Sequence, residues 1–367
     1  MHGRGDNRSM DTNARVSAAL RELAAVQTSR FKAQAFKRAA AAVIGLDRPI
    51  DSMLGAGGVL PEIPGVGPAS VRVILDILRT GASPRVDREV SSSVKGAEIL
   101  RAREGGARLL SRAEIQRVLD TPAAHGVVSP PDYRGDLQMH SEWSDGSETL
   151  AQLVRGCRAR GYAYSAVTDH SHTLGAAGGR SMDKVRQQHR AIDAINRRCG
   201  KTFRLLKGIE ANIKDDGAVD VEARDLAAFE VVLAAPHSAL RSAKDQTDRM
   251  LRVVRTHGVH VLAHPRGRMG SVRGGVSADW DRVFAAAAAA NVAVEFDGSP
   301  ARQDLDYVIA GRALAAGCLF AIDSDAHQTS ELPYSDFGIA HARLAGVPTE
   351  RVINCWPIER LLAWLRR

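Results

Sequence analysis

The sequence predicts an α/β protein in which a parallel sheet closes into a barrel and a small all-α region precedes the sheet. Its 367 residues and 44% hydrophobic content are sufficient for one large domain and a smaller one. From residue 134 onward, short apolar runs alternate with longer segments of helical periodicity, which is typical of repeated βα units. The runs of strand length are YSAVTDH, FRLLKGIEANI, FEVVLAAPHS, VHVLAHP, VAVEFDG and GCLFAIDSDAH.

The all-α region begins with residues 13–46, whose apolar positions recur at helical spacing, as at Val16 and Leu20. This pattern predicts two helices, and a third short helix begins in the RPIDSML segment that follows. Residues 60–81 read LPEIPGVGPASVRVILDILRTG. Here a Gly-Val-Gly turn precedes a proline suited to the first turn of a helix, and Gly81 is suited to its C-terminal end.

Two breaks divide the chain. Residues 81–94, GASPRVDREVSSSV, have the composition of a linker, and TPAAHGVVSPPDYR forms a second break after one or two more short helices in residues 96–120. We therefore predict a helical domain over 1–95, a helical linker over 96–133 and a large domain over 134–367.

Charge and composition limit the possible partners and compartments. Residues 1–128 contain 19 Lys and Arg against 13 Asp and Glu, which favours an anionic partner such as nucleic acid, with a solvated basic surface as the alternative. No apolar run approaches the roughly 18 residues of a membrane span, and the polar N-terminus has no secretory signal core. We expect a cytoplasmic protein with no membrane partner. The four cysteines are far apart, so a Cys-x-x-Cys zinc ribbon is excluded and reduced, buried thiols are expected.

Acids and histidines gather at the predicted C-terminal ends of the strands, which meet at one rim of a parallel barrel. A single such residue is usually a hydrogen-bonded loop residue, but six segments place one at the same rim. Buried charges in this number need cations to balance them. Imidazole together with carboxylate favours zinc, manganese or iron over calcium. These candidates are Asp136, His140, Asp145, Asp169, His170, Glu210, His237, His264, Asp323, Asp325 and His327.

Two or three divalent metal ions suit hydrolysis at phosphorus, because they activate water and neutralise phosphate oxygens. No G-x-S-x-G motif and no P-loop offers a competing chemistry. Arg266 and Arg268 in HPRGRMG and Arg302 in SPARQDLD lie beside the strand ends. We expect them to bind phosphate through bidentate contacts, with surface ion pairing as the alternative.

These segments resemble the PHP (polymerase and histidinol phosphatase) family, and within it the C-terminal domain of bacterial family X DNA polymerases. The resemblance covers residues 134–330 and implies a distorted (β/α)7 barrel, similar to a TIM barrel, that holds three metals. The matching motifs, in the family's order, are RGDLQMHSEWSDG, VTDHS, GIEANI, APHS, LAHPRGR, VEFDGSPARQDLD and AIDSDAH.

Carried over residue by residue, the resemblance implies nine metal ligands, with Glu210 shared by two metals. The family's usual H-x-H is replaced by Gln138-Met139-His140. A glutamine carbonyl binds borderline metals more weakly than imidazole, so we expect the first metal to be held less tightly. The implied ligands are Gln138, His140, Glu210 and Asp325 for the first metal, Glu210, His237 and His264 for the second, and Asp145, His170 and His327 for the third.

Residues 13–81 resemble the small helical DNA-binding domain of family X polymerases, and residues 60–81 resemble its helix-hairpin-helix motif. Backbone N–H groups at a helix start bind a DNA phosphate, and glycines allow its close approach. The expected DNA-binding residues are Gly65, Val66, Gly67, Ser70 and Arg72, whereas a tight helical turn without DNA binding is the alternative.

Two departures from family X polymerases narrow the expected activity. In some relatives, a lysine in the second helix of the hairpin forms a Schiff base with abasic sugars. Val73 stands at that position in this chain, so we do not expect lyase activity. Residues 82–133 are too few for a polymerase palm and fingers, and we expect no nucleotide addition.

The first functional hypothesis is a metal-dependent phosphoesterase that acts on DNA in repair, as a 3′–5′ exonuclease or in 3′-end or abasic-site processing. Its implied catalytic residues are Glu210, Asp145, His170 and Arg302. DNA contacts would involve the backbone and not the base sequence. The alternatives are a small-molecule phosphatase of the histidinol phosphatase type and a non-catalytic DNA-binding adaptor.

Overall fold

The computed structural model describes residues 10–104, 108–171 and 181–366. Most of the N-terminal stretch expected to lack a secretory signal lies outside these residues. The chain divides into two compact units, one formed by Met1–Asp120 with Met269–Gly274 and the other by Thr121–Arg268 with Gly275–Arg367. The predicted domain boundaries at residues 95 and 133 stay predictions.

The first unit is helical over its described part. Asp11 caps its first helix by accepting a hydrogen bond from the Ala14 N–H at 3.0 Å. Gly81 ends the third helix in the left-handed conformation, with a φ of 82°, as its place after the apolar stripe predicts. The helices are α1 (Thr12–Val26), α2 (Arg30–Ile44), α3 (Pro68–Thr80), α4 (Pro84–Ser91), α5 (Gly96–Glu104) and α6 (Arg112–Asp120).

The predicted linker over residues 81–94 is wrong, because α4 occupies most of it. Pro84 stands in the first turn of this helix, and Val86 and Val90 are buried in the core of the unit. The Ser-Pro pair therefore marks a helix start and not a flexible connection. The segment expected to begin a third helix forms a short 3₁₀ helix over Ile50–Met53.

The core of the first unit lies between α1, α2 and α3. Leu20 and Leu23 of α1, Phe36 and Val43 of α2 and Ile74 of α3 are among its buried residues. Leu20 and Leu23 are three residues apart and Phe36 and Val43 are seven apart, which places the apolar side chains of α1 and of α2 on one face of each helix. The two predicted helices in residues 13–46 and the hairpin helix are confirmed.

The second unit contains a parallel sheet whose six strands are paired in chain order, and helices occupy the connections. The α/β class and all six predicted strands are confirmed. Among the described residues, no helix has the length and hydrophobicity needed to cross a membrane. The elements are α7 (Leu150–Ala159), β1 (Tyr164–Val167), α8 (Met182–Cys199), β2 (Arg204–Asn212), α9 (Ala223–Leu226), β3 (Val231–Ala235), α10 (Thr247–Val254), β4 (Val261–Leu262), α11 (Trp280–Ala289), β5 (Ala293–Asp297), α12 (Tyr307–Ala315), β6 (Phe320–Asp323), α13 (Ser335–Leu344) and α14 (Ile358–Leu365), with 3₁₀ helices at Pro130–Asp132, Thr329–Tyr334, Thr349–Arg351 and Ile353–Cys355.

An extended segment, residues 134–140, takes the place of a seventh strand. Its Asp136 carbonyl accepts a hydrogen bond from the Ala166 N–H of β1 at 2.8 Å. At its other end, the His140 N–H donates to the carbonyl of Ala326, just after β6, at 2.8 Å. The segment therefore lies between the two edge strands of the sheet and carries His140 to the rim.

Candidate metal centre

The ligands implied by the sequence reach one rim because parallel strands present their C-terminal ends at the same edge of a sheet. His170 stands three residues after β1, and His237, His264 and Asp325 each stand two residues after β3, β4 and β6. Glu210 lies within β2, two residues before its end. His264 and Asp325 have φ angles of 25° and 54°, which are uncommon for residues other than glycine and are found at functional sites.

Glu210 is the centre of the cluster and contacts four imidazoles. Its Oε1 lies 2.9 Å from Nε2 of His264 and 3.3 Å from Nε2 of His237. Its Oε2 lies 3.3 Å from Nε2 of His140 and 3.2 Å from Nδ1 of His170. The residue is only 1% exposed, so this carboxylate is shared among histidines in the interior.

A second carboxylate, Asp145, joins three imidazoles closer to the solvent. Its Oδ2 lies 3.4 Å from Nε2 of His170 and 3.5 Å from Nε2 of His327. Its Oδ1 lies 3.7 Å from Nδ1 of His140. On the opposite ring nitrogen of His140, Nε2 is 3.1 Å from Oδ1 of Asp325. His140 thus connects the buried carboxylates with the half-buried Asp145.

Three sets of these side chains have potential ligand atoms within 4.8 Å of one another. The structure therefore brings together the implied first and third ligand sets, apart from Gln138. In the second set, Glu210 and His237 are grouped with His170. His264 lies outside the three sets but contacts the same Glu210 oxygen as His237, and the two imidazole ring centroids are 5.2 Å apart. The sets are His140, Glu210 and Asp325; His140, Asp145, His170 and His327; and His170, Glu210 and His237.

The donor atoms fit divalent cations. Two ligands about 2.1 Å from one tetrahedral ion lie about 3.4 Å apart. The contacts of 3.1–3.7 Å around His140 match that spacing more closely than they match charged hydrogen bonds. Among the described residues, the buried Nδ1 atoms of His140 and His170 also have no hydrogen-bond partner. Buried polar atoms are rarely left in this state, and these two nitrogens are suited to binding a metal ion.

The electrostatics keep the carboxylates ionised. Burial alone would raise the pKa of Glu210, but the surrounding imidazoles, led by His170, hold it well below its usual value. Burial is likewise overcome at Asp325, whose pKa is lowered by Arg302 and His140. The pKa of His140 is raised despite its burial, because Asp325 and Glu210 stabilise its charged form. The rim therefore gathers ionised carboxylates beside imidazole nitrogens, a donor set that suits divalent cations.

The three predicted phosphate-binding arginines have different surroundings. Arg302 reaches the cluster, with Nη1 3.0 Å from Oδ2 of Asp325, and its side chain is 23% exposed. Arg266 is paired with Asp304 and Asp306 at 2.9 and 2.8 Å. Arg268 pairs with Asp306 at 3.0 Å and is buried.

These buried ion pairs occupy the guanidinium groups of Arg266 and Arg268, and the donors of Arg268 also bind the backbone carbonyls of Arg302 and Gln303. Their arrangement indicates that both arginines brace the loop carrying Arg302. It does not favour direct phosphate contacts by these two residues.

Three further acids at the strand ends hold the loops and are absent from the candidate ligand sets. Asp136 accepts hydrogen bonds from the Ser324 N–H, and Asp323 accepts one from the Leu137 N–H at 2.7 Å. Asp169 accepts from the N–H and hydroxyl of Ser141 at 2.8 and 2.6 Å. They join the segment carrying His140 to its neighbours.

The predicted helix-hairpin-helix lies in the first unit, where Gly65 has a φ of 85° and Gly67 caps the N-terminus of α3. Both glycines and Arg72 are exposed, and Val66 is partly buried. Ser70 is 3% exposed, so the structure does not favour a direct contact between its side chain and DNA. The turn and Arg72 remain available as a phosphate-binding surface.

Comparisons with known proteins bear on both units. A helix-hairpin-helix domain model matches residues 11–83. The DNA polymerase/3′-5′ exonuclease PolX of Bacillus subtilis is 34% identical over 235 residues, which are 64% of this chain and 41% of that protein. A probable phosphatase of Caldanaerobacter subterraneus is 26% identical over 161 residues, 41% of this chain and 61% of that protein. A solved structure of a histidinol phosphate phosphatase from Lactococcus lactis, complexed with zinc, L-histidinol and phosphate, aligns with a TM-score of 0.42 at 13% identity, covering 57% of this chain and 94% of that one.

The chain is similar to PHP-family proteins, and residues 11–83 match a helix-hairpin-helix domain like that expected from the resemblance to PolX. This confirms the resemblance inferred from the motifs. The chain spans less than two thirds of the length of either relative named above.

Gln138 is the position at which this chain departs from the ligand pattern that the resemblance implies. It is fully buried in the 134–140 segment, and its N–H donates to Oδ1 of Asp136 at 3.2 Å. A weak ligand role for its amide oxygen stays a prediction.

Two features of the structure were not predicted from the sequence. The first is a pair of hydrogen-bonding residues, because Asn212 contacts His237 and Asp220 contacts Asn212. Asn212 lies within the GIEANI motif, which was the available signal. The second feature is the basic surface of α2, whose Arg38 carbonyl lies 3.8 Å from where a Cβ on Gly65 would stand. Only tertiary contacts reveal that this helix borders the hairpin turn. Its exposed basic residues are Arg30, Lys32, Lys37 and Arg38.

Proposed function

We propose that the chain is a metal-dependent phosphoesterase that processes DNA, removing nucleotides or blocking groups at 3′ ends or cleaving at abasic sites, with a role in repair. The observation that carries this proposal is the convergence of Glu210, Asp145 and Asp325 with five histidines at one rim. Relatives named as an exonuclease and as a phosphatase support the same chemistry.

Two or three divalent cations, zinc, manganese or iron, would be held by the three ligand sets, where they would activate water and neutralise phosphate oxygens. The protein's own groups have distinct parts in this scheme. Glu210 is the buried carboxylate shared by the histidines, and Asp145 with His170 forms the more exposed edge of the site. Arg302, partly exposed beside Asp325, is placed to orient a phosphate oxygen and stabilise the charge that develops during hydrolysis.

The helix-hairpin-helix unit supplies the argument for DNA over a small substrate. The exposed glycine turn before α3, Arg72 and the basic residues of α2 suit contacts to backbone phosphates, without readout of the bases. Because both units belong to one chain, DNA bound by the first raises its effective concentration at the second. No polymerase activity is proposed.

The test uses 3′-labelled single-stranded, double-stranded and abasic DNA, incubated with the full chain in manganese or zinc. We expect hydrolysis that His264→Ala abolishes while DNA binding is retained. Arg72→Glu should raise KM and leave kcat unchanged, because it acts on binding alone. Fewer than two metals per chain together with no hydrolysis after manganese addition would contradict the proposal.

A small-molecule phosphatase is the second candidate, and the similarity to a probable phosphatase favours it. The same assay separates the two functions. If p-nitrophenyl phosphate and histidinol phosphate are hydrolysed, DNA is not, and Arg72→Glu has no effect, the second candidate is correct. A non-catalytic adaptor would bind DNA with no metal-dependent turnover of either substrate class.

A further inference from the structure

We infer that Asp220 and Asn212 form a relay that holds His237 in the tautomer needed to bind a metal. The inference rests on the metal-dependent function proposed above and names two positioning residues for that site. Neither side chain belongs to the candidate ligand sets.

The relay begins where β2 ends. The Asn212 N–H donates to Oδ1 of Asp220 at 2.9 Å, and the Asn212 side-chain Nδ2 donates to Oδ2 at 3.2 Å. The Asp220 N–H donates back to the Asn212 carbonyl at 3.0 Å. On the other side of the amide, Oδ1 of Asn212 lies 2.5 Å from Nδ1 of His237. Three residues are thus joined in a line that ends at Glu210, 3.3 Å from Nε2 of His237.

Hydrogen-bonding rules determine the protonation along this line. An ionised carboxylate can only accept, so the Asn212 NH₂ group must face Asp220 and the amide oxygen must face His237. The amide oxygen also only accepts, and Nδ1 of His237 must therefore carry the ring proton. This leaves the lone pair on Nε2, the nitrogen that points to Glu210. Such outer partners commonly set the tautomer and orientation of metal-binding histidines.

The same carboxylate also supports a second part of the site. Oδ2 of Asp220 accepts a hydrogen bond from the Ser171 hydroxyl at 2.6 Å. Ser171 follows His170, and its N–H donates to the Glu210 carbonyl at 3.0 Å. Asp220 therefore supports the chain that carries His170 as well as the amide behind His237.

Exchanging the two side chains distinguishes control of the His237 tautomer from a merely structural role, because the two roles predict different results for the single and double variants. In Asp220→Asn, an NH₂ group faces the Asn212 NH₂ group, so the Asn212 amide is expected to turn and donate to Nδ1 of His237. The ring proton then moves to Nε2, which can no longer bind a metal. In Asn212→Asp, two carboxylates face each other across the relay.

The double variant Asn212→Asp/Asp220→Asn restores the alternation of donors and acceptors. The carboxylate introduced at position 212 accepts from Nδ1–H of His237 and from the amide introduced at position 220, which leaves Nε2 free for a metal. A weakened single variant and a recovered double variant would together identify the relay by its polarity.

The experiment measures zinc and manganese binding to the full chain by mass spectrometry of bound metal and by competition with a chelating dye. We expect Asp220→Asn to weaken binding of at least one ion by about 10–100-fold, and the double variant to recover to within about threefold. Histidine ¹⁵N shifts of the metal-free protein, assigned by loss of a signal in His237→Gln, should show Nδ1–H in the parent and Nε2–H in Asp220→Asn.

Asp216→Asn is the matched control, because Asp216 is in the same connection but is exposed and pairs with Arg252 at 3.0 Å. It should bind metal as the parent does. Unchanged affinity and tautomer in Asp220→Asn, or a double variant no better than the worse single one, would overturn the inference. If Asp220→Asn unfolds, Ser171→Ala and Asn212→Ser are measured instead, with a tautomer change expected only in the latter. None of these readouts requires DNA hydrolysis, so failure of the relay and failure of the proposed activity are separate results.

Discussion

Gly135→Ala tests whether the 134–140 segment must lie close to β1 for His140 to reach the rim. An alanine Cβ at this position would stand 1.9 Å from the Tyr164 carbonyl oxygen and 2.7 Å from Cδ2 of the same residue. Cβ contacts under 3.0 Å are essentially never seen, so the segment would have to move by about 1.1 Å, the difference between 3.0 and 1.9 Å. The obstacle is partly backbone, which a rotamer change cannot relieve.

The expected cost follows from this shift. Overpacking costs about 1–3 kcal/mol, and stretching the bond from the Ala163 N–H to the Arg134 carbonyl, which is 2.7 Å long in the parent, adds about 1 kcal/mol. We expect a loss of about 3 kcal/mol in the free energy of unfolding, or about 6–12 °C in Tm. A displacement of His140 by about 1 Å should lower kcat by about 100-fold.

Thermal unfolding and bound-metal content check this expectation without reference to the substrate. Gly311→Ala is the control, because Gly311 lies inside α12 and a Cβ added there would meet no atom within 4 Å. It should raise stability by about 0.5–1 kcal/mol. Parental Tm and metal content in Gly135→Ala would refute the reasoning.

Three further predictions concern the site, pH and the first unit. Glu210→Gln should lose at least one bound metal and more than about 100-fold in activity, because the change removes a carboxylate shared by four imidazoles; bound-metal analysis checks this, and full metal content contradicts it. Burial lowers the pKa of His341 to about 3, below the unfolded value, so its contribution to stability is present above about pH 6.5 and lost as the pH falls. In urea unfolding of the parent, the free energy of unfolding should fall by about 2 kcal/mol between pH 7 and pH 5 because of this residue, and His341→Gln should remove that decrease. The same pH dependence in both proteins would contradict the prediction. Glu22→Gln should lower the free energy of unfolding by about 1.5–3 kcal/mol, because buried Glu22 pairs with Arg103 at 2.5 Å. In the same urea assay, Arg112→Ala, which removes an exposed ion pair, should lower it by less than about 1 kcal/mol.

Much of the candidate site could be predicted because parallel strands bring their ends together. His237, His264 and Asp325 follow their strands by the same two residues, so their convergence requires only that the strands be identified. Which nitrogen each imidazole presents could not be read from the sequence. At His237 that choice depends on Asn212, which is 25 residues away in the chain.

The errors arose where local composition was read without the tertiary packing. Ser83 and Pro84 look like linker residues, yet Val86 and Val90 are buried and make α4 part of the core. Arg266 was expected to bind phosphate, but Asp304 lies two residues beyond Arg302 and occupies it with an ion pair. Spacing in the sequence does not show which of two nearby anions a guanidinium will meet.

The 134–140 segment bridges the two edge strands, β1 and β6, and also carries His140, a residue of the candidate metal centre. Its main chain bonds to both edges, and its last residue, His140, contacts Glu210, Asp145 and Asp325. Metal ions bound by His140 and these carboxylates would link the 134–140 segment to the strands on either side. The same contacts would keep the ligand atoms in position for the metal. Metal binding and the stability of the second unit should therefore be coupled, so that both are lost in one cooperative transition.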